Sequence, residues 1–198
     1  MISTLSVTDA WRRGLEPEPI DAPNIRLTVP KAERNTARDP ASGEALMAEV
    51  TQLSKPWWMP SWLLNALVKT FPSITTITTE PASTAIGRFH AAGIPVVMGS
   101  DSGNWEIIPY EFHGPTSIRE VELLAKAGMT PAEAIEASTR LPAEMIGVAD
   151  EIGTVEVGKR ADMVILPDDP LADLSALTRP LWVVKNGEAR TPAGWMSD

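Results

Sequence analysis

The 198-residue chain contains no cysteine and only two histidines, His90 and His113. The first absence excludes disulfides, a thiol nucleophile and any thiolate metal site, and it fits a reducing or an oxidising compartment equally. The second means that a mechanism needing a cluster of imidazoles cannot be assembled from this chain alone. Basic residues are also short: 17 Lys and Arg against 26 Asp and Glu give a net charge of −9. Phosphate binding needs a basic face, so a nucleic-acid partner is not expected. Long apolar runs are missing too; none reaches the roughly 18 residues that span a membrane. Residues Met1–Ala10 lack the charged start and apolar core of a signal peptide. Localisation is therefore open, and points to the cytoplasm if Met1 is the true start.

What is present is ordinary in amount and particular in order. Hydrophobic residues at 43% can supply a core. Residues 2–7 are apolar and β-branched and read as a strand. Residues 13–45 are polar and proline-bearing, as in Glu16-Pro-Glu-Pro19, and read as loop or short helical turns, the Glu-Pro stretch as a solvated linker. Ser61 can cap a helix carrying Trp62, Leu63, Leu64, Leu67 and Val68. From residue 80 the signals sharpen. Ser83 or Thr84 can open a helix that Gly93 closes. Ile94–Met98 is continuously apolar, as expected of a parallel strand covered on both faces. Ser117-Ile-Arg-Glu120 and Thr130-Pro-Ala-Glu133 are both capping-box patterns, the second with proline at the first helical position. A short further turn ends at Gly147. After Gly153, residues 154–157 and 161–166 read as strands, and 181–190 as a hairpin turning at Asn186-Gly187. The class is α/β, a helix–parallel strand–helix body followed by a small antiparallel region.

One acid stands out. Val-Val-Met-Gly-Ser-Asp101-Ser-Gly103 ends an apolar strand on a lone carboxylate among small residues. Side chains at the carboxyl ends of parallel strands face the ligand crevice. Spacing alone is equally consistent with an Asx turn at Asp101. The wider order is more specific: Gly99-Ser-Asp-Ser-Gly103, His113-Gly114, Glu120-Val-Glu-Leu-Leu124, Ala127-Gly-Met-Thr-Pro131, Ala137-Ser-Thr139, Val157-Gly-Lys-Arg-Ala-Asp162 and Val184-Lys-Asn-Gly187. This series, over about residues 84–190, resembles the C-terminal part of the metal-dependent amidohydrolase superfamily, nearest the branch of imidazolonepropionases and Xaa-Pro dipeptidases. Thr4-Leu-Ser-Val7 looks like the seventh strand of that branch, and about 12–75 matches nothing.

The resemblance implies a (β/α)8 TIM-type barrel with a small β-sandwich. Residues 1–150 would carry barrel strands 7 and 8 with their helices, interrupted by the insert at about 12–75, and 151–198 a β-sandwich segment. Asp101 then corresponds to the aspartate that contacts a divalent metal, zinc being expected, and serves as general base toward water and proton donor to the leaving amine. Ser102, Gly103 and His113 would contact substrate. The family's His-x-His pair and other ligands have no counterpart here, so the barrel is expected to be incomplete, the metal not retained and the chain inactive alone. Its partners would be a small-molecule or dipeptide substrate and either a missing N-terminal half or a second copy. The alternative is a non-catalytic binding or regulatory module built from the same fold. A metal-free hydrolase using Asp101 and His113 is disfavoured, because no Gly-x-Ser-x-Gly elbow is present. His90, mid-helix, reads as packing or surface. Trp57, Trp58 and Trp62 read as burying their helix against the body. The charges of Lys159-Arg160-Ala-Asp162 read as structural.

Overall fold

The computed structural model describes residues 1–15, 25, 29–37, 58–60, 62–63, 79–103 and 111–195. Strand β1 is Ile2–Ser3 and is followed at once by helix α1, Leu5–Leu15. The expectation of a strand over 2–7 is thus corrected. Its apolar positions belong to a helix that buries Leu5, Ser6, Asp9 and Ala10, spaced one turn apart. The reason is distant in sequence. Glu120, fully buried, accepts the amides of Leu5 (3.0 Å) and Ser6 (2.5 Å) and the hydroxyl of Ser3 (2.5 Å). A carboxylate there satisfies donors that the first turn of a helix leaves unpaired, and it meets the positive end of the helix dipole.

Further along come α2 (Lys31–Ala37), α3 (Thr79–Ala91) and β2 (Val97–Met98). Helix α3 opens four residues before Ser83, with Pro81 in its first turn, where a missing amide costs nothing. Gly93 then leaves it in a left-handed conformation, φ 72°. The strand expected over 94–98 shortens to two residues and pairs parallel with β1, Ile2 opposite Val97 and Ser3 opposite Met98. The Val97 and Gly99 amides go to the carbonyls of Met1 and Ser3, while the Met98 amide turns the other way, to Ala137 O at 2.8 Å. The outer edge of β2 is therefore closed at Met98 by the chain itself.

Helix α4 spans Pro115–Lys126, α5 Pro131–Glu136 and α6 Arg140–Met145. The capping box read at Ser117–Glu120 is corrected. Gly114 at φ 86° and Pro115 start the helix three residues earlier, and no side chain caps it. Glu120 cannot turn back to its own helix because α1 and Ser3 hold it. The box at Thr130–Glu133 forms with both reciprocal bonds. One core, with Leu5, Ile86, Val96, Val121, Leu124, Met129 and Ala134, joins α1, α3, β2, α4 and α5. Arg119 adds a second tie between α4 and α1, donating to both oxygens of Asp9 (2.7 and 3.2 Å).

The last part is an antiparallel sheet of β3 (Met163–Ile165), β4 (Trp182–Lys185) and β5 (Glu188–Arg190), in that order. Asn186 at φ 51° and Gly187 at φ 82° make the expected two-residue turn. Asp162 accepts the Asn186 amide at 2.7 Å and an Arg160 bond at 2.5 Å, so these charges are structural, as read. Residues 154–157 form no strand: they run through bends with Val155 and Val157 exposed. No described strand lies beside them to supply a ladder. Trp58 and Trp62 are 63% and 71% exposed, which corrects their assignment to packing; Trp57 and the run after Leu63 lie outside the described residues.

Replacing Glu120 by Ala strands three buried donors and opens a cavity, with an expected loss of ~3 kcal/mol or more in urea unfolding. Glu120→Gln keeps one acceptor but turns an NH2 group toward an amide, so its loss should be intermediate. A Glu120→Ala variant as stable as the parent would remove Glu120 as the tie.

Candidate functional site

The carboxyl end of β2 is built by close approach. A Cβ on Gly99 would stand 2.8 Å from Ile2 Cγ2 and 3.1 Å from Ser3 O, so only glycine lets β1 and β2 run together there. Ser6 at the start of α1 donates its hydroxyl to Ser100 O at 3.2 Å. The Ser102 hydroxyl donates to Ser100 Oγ at 2.8 Å. Between these serines Asp101 is exposed, with φ 51°, a left-handed position in which aspartate is tolerated and most side chains are strained. Gly103 follows at φ 110°.

The turn is tied to a second segment. The Gly103 amide donates to Glu111 O at 3.0 Å, and a Cβ on Gly103 would lie 3.1 Å from His113 Nε2. Asp101, Ser102, Gly103 and His113, all singled out from sequence, thus gather at one end of β2. Asp101, Gly103 and His113 are exposed and Ser102 half-buried. His90 lies elsewhere: it is half-buried on α3 with Nε2 3.5 Å from Glu133, in keeping with a packing role.

Sequence reasoning missed Glu111. The residue is fully buried, and neither carboxyl oxygen has a hydrogen-bond partner. Burial, reinforced by the negative charge of Asp101, pushes its pKa up to about 7. The signal was available: Glu111 is an acid inside the apolar run Ile107-Ile-Pro-Tyr-Glu-Phe112. A cavity of about 140 Å³ is lined by Phe112 with Ser6, Asp9, Gly114 and Arg119 among others. Its main charges are already paired, and neither Asp101, Glu111 nor His113 borders it.

The divalent ion implied by the resemblance can be tested against these side chains. Among the described residues no three of His, Cys, Asp and Glu are grouped so as to hold a metal. Asp101 and Glu111 are two acids where such a group needs three, so the described set does not fit a metal by itself, and no step below runs through one.

Glu111 also sets a pH dependence. Its native pKa lies above the ordinary 4.5, so between these values the folded chain binds more protons than the unfolded chain. Stability contributed by the neutral form is present at pH 4.5 and is lost as pH rises through about 7. Relative to Glu111→Gln, the parent should lose about 3 kcal/mol between pH 5 and 8. Urea unfolding at both pH values measures it, and a difference that does not change with pH would rule the effect out.

Comparison with known proteins identifies the framework. The amidohydrolase family model matches residues 29–189, which takes in much of the 12–75 stretch that motif reading left unmatched. The imidazolonepropionase of Thermoplasma volcanium is 34% identical over 87 residues, 43% of this chain and 20% of that protein. A molinate hydrolase structure is 31% identical with TM-score 0.50, covering 55% of this chain and 26% of that one. A Xaa-Pro dipeptidase structure with bound methionine is 20% identical with TM-score 0.51, covering 79% and 33%, and speaks for the fold alone. The chain spans no more than about a third of these relatives' lengths. With the family match running through most of its 198 residues, the chain belongs to the amidohydrolase family.

Proposed function

We propose that the chain supplies the Asp101 part of a hydrolase site for C–N bonds in an amide, peptide or cyclic amide. The observation that carries this is the exposed Asp101 carboxylate at the end of a parallel strand whose neighbours Ser100 and Gly99 are held by Ser6 and Ser3. Parallel strands present such ends to the substrate. Asp101 takes a proton from the attacking water and returns it to the leaving amine, a task for which a solvent-facing carboxylate suits. His113, Ser102 and Gly103 form the substrate side of the same turn. The imidazolonepropionase of Thermoplasma volcanium, similar to this chain in part, supports a cyclic amide as substrate.

The divalent metal, zinc in this proposal, needs ligands from outside the described residues, and so does closure of a TIM-type barrel around β1 and β2. The chain alone is then inactive, and its partner is a segment carrying the remaining strands or a second copy. A non-catalytic module is the second reading. It is favoured by the Met98–Ala137 hydrogen bond, which lets the piece close one of its own strand edges.

Zinc analysis with dipeptidase and lactamase-type assays separates them. The isolated chain is expected to hold substoichiometric zinc and show no turnover. Joined with a barrel segment bearing a His-x-His pair it should turn over, and Asp101→Asn should lower that rate at least ~100-fold. Turnover unchanged in Asp101→Asn would end the Asp101 assignment. Turnover by the isolated chain, lost in Asp101→Asn, would end the claim of incompleteness. A zinc-free monomer that no barrel segment activates would favour the module.

A further inference from the structure

The cavity of about 140 Å³ draws its walls from four parts of the chain: α1, Ile25, residues 112–122, and residues 177–180 at the end of the short helical turn Leu174–Thr178. Ala10, Ile25, Phe112, Leu177 and Pro180 make much of the wall apolar. An apolar cavity of about 150 Å³ takes up a benzene molecule, so this one has room for a single five- or six-membered ring.

Its polar side is only partly used. Arg119 carries five N–H groups. Nε and Nη2 donate to the two oxygens of Asp9, and Nη1 donates to Glu122 Oε2 at 2.7 Å. Among the described residues these are all its bonds, so one N–H remains on each terminal nitrogen. Glu122 Oε1 accepts none in the same set. The side chains of Arg119 and Glu122 are 18% and 27% exposed, and both line the cavity, so the unused groups meet open space rather than packed atoms.

This pattern selects a ligand. An anion would meet the two carboxylates already on the guanidinium, and a cation would meet the guanidinium itself, whereas a neutral molecule meets neither repulsion. What remains is a pair of donors beside one acceptor. A carbonyl oxygen has two lone pairs and can accept from both Arg119 N–H groups, while an adjacent N–H donates to Glu122 Oε1. The two groups lie on one edge only in a cis amide, which open-chain secondary amides disfavour and a small ring imposes.

We propose that this cavity is a binding site for a small neutral cyclic amide, its ring against the apolar wall, its carbonyl on Arg119 and its N–H on Glu122. The occupant would lie behind the Asp101 turn. Ser6, in the cavity wall, holds Ser100 O, and Phe112 and Gly114, also in the wall, flank His113. The proposal does not rest on the catalytic reading of Asp101, which does not border the cavity.

The test needs neither metal nor turnover. The full chain, labelled with ¹⁵N, is titrated near neutral pH with δ-valerolactam, cyclohexanone or piperidinium, and the Arg119 Nε–H and Phe112 amide signals are followed by NMR. Saturable shifts are expected with the lactam, about tenfold weaker binding with cyclohexanone, which keeps the acceptor and lacks the donor, and none with piperidinium. Glu122→Gln turns an NH2 group toward the ligand N–H and should weaken lactam binding about tenfold while leaving cyclohexanone unchanged. Ala10→Leu fills the cavity and should abolish both. No saturable shift in the parent, equal binding of cyclohexanone and lactam, or unchanged lactam binding by Glu122→Gln would overturn the proposal. So would lactam shifts that survive in a folded Ala10→Leu, since the ligand would then sit elsewhere, the Asp101 turn included. The parent and Glu122→Gln titrations decide by themselves if Ala10→Leu does not fold.

Discussion

The carboxylate of Glu120 is the constraint on which the site end of the fold depends. It sits on α4 yet fixes the two residues that start α1 and the last residue of β1. Ser6, whose amide it accepts, passes the constraint on through its hydroxyl to Ser100, the neighbour of Asp101. The position of Asp101 is therefore set by a path of hydrogen bonds beginning at a buried acid more than one helix away in sequence. A hydrophobic contact could press α4 against α1, but it could not choose the residue at which strand becomes helix. Directional acceptors can, because each amide must find its partner.

This explains where sequence reading succeeded. Thr130–Glu133, Gly93 and the Asn186-Gly187 turn are local devices, complete within four residues, and each appears where its pattern says. Residues 2–7 failed because a β-branched run has no intrinsic way to announce a helix that a distant carboxylate caps. Ser117–Glu120 failed for the complementary reason: the correct spacing for a capping box was present, but its glutamate had a better use. At the candidate site, strand-end logic placed Asp101, and motif order added His113, Ser102 and Gly103. Glu111 went unseen because attention to motif glycines and histidines passed over an acid in an apolar run. Its meaning lies in what surrounds it, which no spacing encodes.

The two acids Asp101 and Glu111 differ in a way that bears on function. Asp101 is exposed at the end of β2. Glu111, close enough to feel that charge, is buried and keeps its proton to about pH 7.

The parallel pairing of β1 with β2 raises a last question of energetics. It closes a loop whose ends, at Ser3 and Met98, are about 95 residues apart, at an entropic cost of about 4 kcal/mol plus a constant. Two strands of two residues each cannot offset that through their own ladder, because each hydrogen bond is worth only about 1 kcal/mol net. The offset comes from outside the sheet. Leu5, Ile86, Val96 and Leu124 are buried together, Glu120 satisfies three donors, and Ala137 takes the outward amide of Met98. The helices hold the strands rather than the reverse. An exposed acid on such a short strand end owes its placement to α1 and α4, so substitutions at Glu120 or Ser6 should move Asp101 before substitutions within β2 do.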